Sequence, residues 1–182
     1  MWLNNRRLIG VGLGLLGLVG VAVVIGDRLV INPTASLPRG LYWAAGDRSI
    51  ERGSFVAVCV GNNEQGRFVK KYSNVTSGSC PDRYGRILKV VRGVPGDAVR
   101  FDDTGVWIND RLIPHSQPVE KDRAGLPMPH PTGRVTLRAG EYILMGDHEK
   151  SLDSRYLGIF HDRQIQYRLQ PLFLIDSEEN AK

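Results

Sequence analysis

Residues 86–97 read Arg-Ile-Leu-Lys-Val-Val-Arg-Gly-Val-Pro-Gly-Asp, and this stretch decides how the chain folds. Ile87, Leu88, Val90 and Val91 make an apolar run of strand length, and Pro95-Gly96-Asp97 closes it with a turn signal. Lys89 is the odd residue in the run. Side chains alternate across a strand, so Ile87, Lys89 and Val91 share one face. A lysine held among branched aliphatics loses hydration, which disfavours its ammonium form and lowers its pKa from about 10.4. A neutral amine so produced can take a proton. The same pattern also suits an edge strand, where a lysine blocks pairing with another chain.

The pattern repeats outward from this strand. Downstream, Ala98–Phe101, Gly105–Ile108 and Arg111–Ile113 are separated by Asp102-Asp103-Thr104 and Asn109-Asp110, which reads as a small β-meander. Pro114–Pro131 is irregular and holds five prolines. Arg134–Leu137 and Glu141–Met145 are further strands, Gly146–Gly158 is a polar loop, and Gln164–Ile175 is a strand-like run broken at Pro171. Upstream, Ser54–Val60 is a strand and Gly61–Pro81 a polar excursion, with Arg67–Tyr72 helical or extended. Pro33 and Pro38 hold residues 31–43 extended. A helical period is confined to the N-terminal segment, so the domain is mainly β.

That N-terminal segment, Leu8–Gly26, runs 19 residues without a charge. As a helix it spans roughly 28 Å, close to the hydrocarbon thickness of a bilayer. A cleaved signal peptide has a shorter apolar region followed by a small-x-small site, whereas Asp27-Arg28-Leu29-Val30 follows here. The segment reads as a retained anchor, with Gly10 and Gly14 at helix-packing spacing. Arg6 and Arg7 place residues 1–7 in the cytoplasm and everything after the anchor outside it. The expected organisation is therefore a cytoplasmic start (1–7), a transmembrane anchor (8–26), a β domain outside the cytoplasm (27–176) and a polar tail (177–182).

Composition narrows the function. The chain has 182 residues, 42% hydrophobic and 24% charged, which suits one globular domain rather than a disordered one. Its net charge of +5 lies in no basic run longer than Lys70-Lys71, which argues against nucleic acid as a partner. His115, His130, His148 and His161 have no metal-ligand spacing, so neither metal nor cofactor is expected. Cys59 and Cys80 are the two cysteines. Outside the cytoplasm they can form one bridge; two free thiols are the alternative.

Chemistry gathers in two more places. Ser36 lies in Thr34-Ala35-Ser36-Leu37-Pro38-Arg39-Gly40, ten residues beyond the anchor. A serine needs a base to become a nucleophile, and a lysine can serve. Ten residues reach at most about 35 Å, so the hydroxyl lies near the membrane surface. The densest polar stretch, Gly146–Gly158, sets Asp147, Asp153, Ser154 and Arg155 together, and an Asp–Arg pair there can order the loop. Taken singly, Ser36 suits a turn and this stretch a solvated loop.

Taken together, the anchor, Ser36-Leu37-Pro38, Leu88–Asp97, and Gly146-Asp147 with Ser151-x-Asp153-Ser154-Arg155-x-x-Gly158 resemble the bacterial type I signal peptidase family in order and spacing. The short Ser-x-Pro-x-Gly form and the small size look more like its TraF-type members, which serve conjugative plasmid transfer. Leu37 stands where Met is usual in the wider family, His148 where Asn is usual, and Val90 where many members have Arg.

The resemblance implies curved antiparallel sheets behind one transmembrane helix. It implies a Ser36–Lys89 dyad, activity linked to Asp153, and an oxyanion hole at the Ser36 N–H supported by Thr34. It further implies a periplasmic site, a membrane-inserted prepilin or preprotein as substrate, and other conjugative transfer proteins as company. Pilin processing with joining of the pilin's ends is the reading that fits best. A general signal peptidase and a non-enzymatic tethered subunit of a secretion apparatus are the rivals.

Overall fold

Short apolar runs punctuated by Gly, Pro, Asn and Asp dictate short strands, and the described residues form eleven. The computed structural model describes residues 28–47, 49–73 and 78–175. The expected anchor at 8–26, the residues before it and the tail at 177–182 lie outside the described residues. Among those described, no helix is long and apolar enough to cross a membrane.

In chain order the strands are β1 (Leu29–Asn32), β2 (Gly40–Ala45), β3 (Phe55–Val58), β4 (Ile87–Gly93), β5 (Ala98–Asp102) and β6 (Gly105–Ile108). They continue with β7 (Arg111–Leu112), β8 (Gly133–Thr136), β9 (Glu141–Met145), β10 (Phe160–His161) and β11 (Ile165–Leu174). Helix α1 (Glu64–Tyr72), the single turn α2 (Ser154–Leu157) and a 3-10 turn (Asp162–Gln164) join them. Among the described residues, seven strands pair in the order β1-β2-β11-β3-β4-β9-β10 and four in the order β7-β6-β5-β8. Every strand pairing is antiparallel. The mainly β reading holds.

Strand β4 lies between β3 and β9, with Lys89 directly across from Val56. It is an interior strand, so the edge-strand reading of Lys89 falls. Ile87 and Val91 join Val56, Val58, Leu144, Leu157 and Phe160 in one core cluster. Val90 joins Leu37, Tyr42, Ala44, Ala57 and Leu169 in another. Strand β9 is buried on both sides: Leu144 enters the first cluster, while Ile143 and Met145 pack with Val99, Phe101, Val106 and Ile108 of the smaller sheet. Burial on two faces is why this strand is an unbroken apolar run rather than an alternating one.

Three segments differ from the sequence expectation. Residues 31–43 are not one extended piece: β1 and β2 form a hairpin with Asn32 opposite Gly40, and both prolines lie in its connection. Proline fixes φ at a value that suits turns as well as extended chain. Pro171 does not end β11, which absorbs it with a register shift between Pro171 and Phe173. The polar loop after β9 contains α2, capped by the Asp153 carboxylate on the Arg155 N–H.

Gly40 is required where β11 crosses the hairpin, because a Cβ there would overlap the Phe173 carbonyl oxygen and meet Leu174 Cα at 2.9 Å. Helix α1, capped by Asn63, is fastened by Gln65 Nε2, which donates to the carbonyls of Leu157 (2.7 Å) and Ile159 (2.9 Å).

Cys59 and Cys80 are bridged, closing the excursion that carries α1, at a sequence separation of 21. A loop of that length constrains the unfolded chain by about 3 kcal/mol. Replacing both cysteines by alanine is expected to cost about that much. Urea denaturation checks it: the midpoint should fall, and an unchanged midpoint would mean the bridge contributes nothing.

Candidate active site

Lys89 is 3% exposed, in the middle of an interior strand. Its Nζ donates to Ser151 Oγ at 2.9 Å. Burial is the main cause that lowers its pKa, to about 8; the Asp153 carboxylate opposes this and the Arg155 guanidinium reinforces it. A neutral amine is therefore accessible in the mildly basic range, as a general base requires.

The Ser36 turn meets this lysine through the loop that follows β9. The Asp147 N–H donates to the Ser36 carbonyl at 3.1 Å. Gly146 stands between the groups: a Cβ on it would overlap Ser151 Oγ and lie 3.2 Å from the Ser36 carbonyl oxygen. Only a glycine leaves room there for both the serine turn and the serine bound to Lys89. Ser36 is half-buried, and next to it Leu37 is fully buried in the core cluster that contains Val90 of β4. The strand that carries the lysine thus also anchors the residue after the serine.

Beneath the site, Asp153 and Arg155 form an ion pair hidden from solvent, with Arg155 Nε on Asp153 Oδ1 at 2.9 Å. The other carboxylate oxygen accepts the Gly146 N–H at 2.8 Å and Arg155 Nη2 at 3.0 Å. Arg155 also donates to the carbonyls of His115 (2.7 Å), Glu149 and His148 (3.3 Å), so one guanidinium ties together residues 146–150 and the segment after β7. A buried pair is costly to desolvate unless further hydrogen bonds satisfy its remaining donors and acceptors, and here the Gly146 N–H and three loop carbonyls do so. Ser154 is buried and accepts the Leu144 N–H at 2.9 Å, fixing α2 to β9. Asp147 reaches outward to Arg92 at 2.7 Å, an exposed pair of little energetic weight.

Ser36, Asp153 and Arg155 thus meet Gly146 directly and Asp147 follows it in the chain, whereas Lys89 reaches it through Ser151 and Ser154 is bonded to Leu144 of β9. Thr34 lies in the same turn, exposed, its hydroxyl donating to Asn32 Oδ1 at 2.8 Å. The Cys59–Cys80 bridge belongs to the α1 excursion. Sequence reasoning missed Asn32, Tyr42 and the bond from Lys89 to Ser151. Ser151 was legible only as part of a motif, because nothing local to it reveals a partner 62 residues away. Among the described residues, no group of three His, Cys, Asp or Glu could hold a metal ion.

Comparison with known proteins gives consistent matches. Residues 6–173 match the family described as signal peptidase, peptidase S26. A plasmid transfer protein TraF of Escherichia coli is 35% identical over 166 residues, covering 90% of this chain and 92% of the relative. A second Escherichia coli protein of that name is 34% identical over 144 residues, 78% of this chain and 80% of the relative. A conjugal transfer protein TraF of Agrobacterium fabrum is 29% identical over 174 residues, 93% and 96% of the two chains. The crystal structure of a signal peptidase I from Enterococcus faecalis aligns with 68% of this chain and 98% of its own, at 18% identity and a TM-score of 0.36.

The charges around Lys89 predict how its titration responds to change. The Asp153 carboxylate favours the ammonium form and Arg155 opposes it. Asp153→Asn removes the first and leaves the second, so the midpoint should move below its value of about 8. Lysine side-chain NMR across a pH titration measures this. A rise in the midpoint, or a wild-type lysine that titrates near 10.4 as a free lysine does, would contradict the description of the site.

Proposed function

This chain belongs to the signal peptidase family, and from that premise we propose that it is a membrane-anchored serine endopeptidase with Ser36 as nucleophile and Lys89 as general base. The observation that carries the reading is a buried lysine with a pKa of about 8, whose hydroxyl partner Ser151 meets the same glycine, Gly146, as the Ser36 turn. The neutral Lys89 amine takes the Ser36 hydroxyl proton as Oγ attacks the scissile carbonyl. The Ser36 backbone N–H stabilises the oxyanion. Lys89 then returns the proton to the departing amine, leaving an acyl-enzyme. Attack by water on that ester gives hydrolysis, and attack by an amine of the substrate gives a new peptide bond.

Ser151 holds the lysine amine in place. Asp153, whose oxygens are taken up by Arg155 and the Gly146 N–H, acts through the loop it orders and is a positioning residue in this scheme. Asp147 holds the serine turn through its N–H, and Arg155 holds the loop.

The substrate proposed is a pilin precursor of a conjugative transfer system, in keeping with the names of the relatives, and its ends are joined when its own amine outcompetes water. Well-oriented intramolecular groups reach effective molarities of about 10⁵–10⁸ M, ample against about 55 M water. Residues 8–26 anchor the chain in the bacterial inner membrane, and the catalytic domain works in the periplasm. An apolar strip beside the nucleophile turn supports that placement. Ile31, Leu172, Phe173 and Ile175 are each more than half exposed, and the Ile175 N–H donates to the Arg39 carbonyl at the turn's end.

Ser36→Ala and Lys89→Ala should each lower the rate at least about 10³-fold while the protein still accumulates in the membrane. Lys89→Arg should fail as well, because arginine stays protonated. Processing of the pilin precursor measures this, and normal product from any of the three would remove the dyad.

The rate should also fall about tenfold per pH unit below the Lys89 pKa, since protonation removes the base. A flat profile through that region would exclude lysine as base. Asp153→Ala should impair ring closure at least as much as cleavage. Intact mass decides, because the ring is lighter than the linear product by one water; normal cyclic product would remove Asp153 from the mechanism.

A further inference from the structure

The nucleophile proposed above sits in an awkward place for precise chemistry. Residues 33–39 connect two hairpin strands, with Asn32 and Gly40 paired at the mouth. A seven-residue connection is longer than the two- to five-residue loops that commonly fix hairpin geometry by backbone alone. Yet Ser36 must be held to a fraction of an ångström relative to Lys89, since a misplacement of about 1 Å can cost 10²-fold in rate.

One side chain spans the connection. Asn32 is 2% exposed and lies under the turn. Its Nδ2 donates to the carbonyls of Thr34, Leu37 and Pro38, each at 3.1 Å. Its Oδ1 accepts the Thr34 N–H at 3.1 Å and the Thr34 hydroxyl at 2.8 Å. These bonds grip the chain on both sides of Ser36. A carboxamide alone supplies two donors and an acceptor in so small a volume. An aspartate would face three carbonyl oxygens with a negative charge, and an apolar residue would leave several polar groups buried without partners.

Other restraints act on the same turn. Tyr42 OH donates to the same Pro38 carbonyl at 2.6 Å. Leu37 enters the core, and the Ser36 carbonyl meets the Asp147 N–H.

We propose that Asn32 is the residue that positions the nucleophile, presenting Ser36 to Lys89 by hydrogen-bonding across its turn. The inference rests on Ser36 being the nucleophile. On this account Thr34 also acts through Asn32, because its hydroxyl proton is directed to Oδ1 and not to an incoming oxyanion.

The test compares the full chain in detergent micelles with Asn32→Asp, Asn32→Ser and Ser36→Ala, using a pilin precursor bearing its signal peptide as the probe. Rates are taken per folded molecule, the folded fraction coming from near-UV circular dichroism. Asn32→Asp should lower kcat about 10²-fold with KM within twofold, and the acid limb of the pH profile should stay where Lys89 sets it. Asn32→Ser, which keeps a short donor and no charge, should fold and lose about tenfold in kcat.

A merely structural role predicts a smaller folded fraction with normal kcat per folded molecule in both variants, and that result overturns the proposal. So does a change confined to KM. If Asn32→Asp does not fold, Asn32→Ser decides alone by the same criteria. Ser36→Ala separates the two readings. Activity in that variant removes Ser36 as nucleophile, whereas an inactive Ser36→Ala beside a fully active Asn32→Ser removes only the role of Asn32.

Discussion

An amine buried in the middle of a β-sheet is the constraint on which the rest of this molecule depends. Lys89 cannot be hydrated where it stands, and a lone ammonium in such a place is strongly disfavoured. The structure answers with a hydroxyl for the amine, a depressed pKa, and a closed ion pair nearby whose opposite charges bias it in opposite directions. Asp153 and Arg155 satisfy each other and the surrounding backbone.

Position follows from the same constraint. The lysine lies on a strand with neighbours on both sides, so the proposed dyad requires that the serine be brought to it. The hairpin turn is drawn in by Leu37 in the core, by Asn32 and Tyr42 on its carbonyls, and by the Asp147 N–H. Gly146 permits the final approach by having no side chain. The Arg155 guanidinium then keeps the loop bearing Gly146 and Asp147 against β9. Fold and site are therefore one set of contacts seen from two directions.

Some of this was plain in the residues. The apolar run around Lys89, the turn at Pro95-Gly96-Asp97 and the meander after it gave strands within a residue or two of those formed. The order of Ser36, Lys89 and the Gly146–Gly158 stretch pointed to a family that the wider comparison supports. Other features were not legible. Pro33 and Pro38 restrict φ equally in extended chain and in a turn, so the hairpin was hidden. Asn32 looked like an ordinary residue before a proline, because its five bonds exist only once the turn has closed.

The sequence by itself determined the strand content, the residue types able to do acyl-transfer chemistry, and the depth at which Lys89 would be buried if its strand were internal. Whether that strand was internal lay beyond it, since an isolated lysine in an apolar run suits an edge equally well. Only the tertiary structure decided this, by pairing β4 with β3 on one side and β9 on the other. The reason is physical: a pKa depends on what surrounds a group in space. Burial within the sheet is the main cause that sets this one, and the charges that adjust it, Asp153 and Arg155, are more than sixty residues away along the chain and act on Lys89 only when the sheet is built.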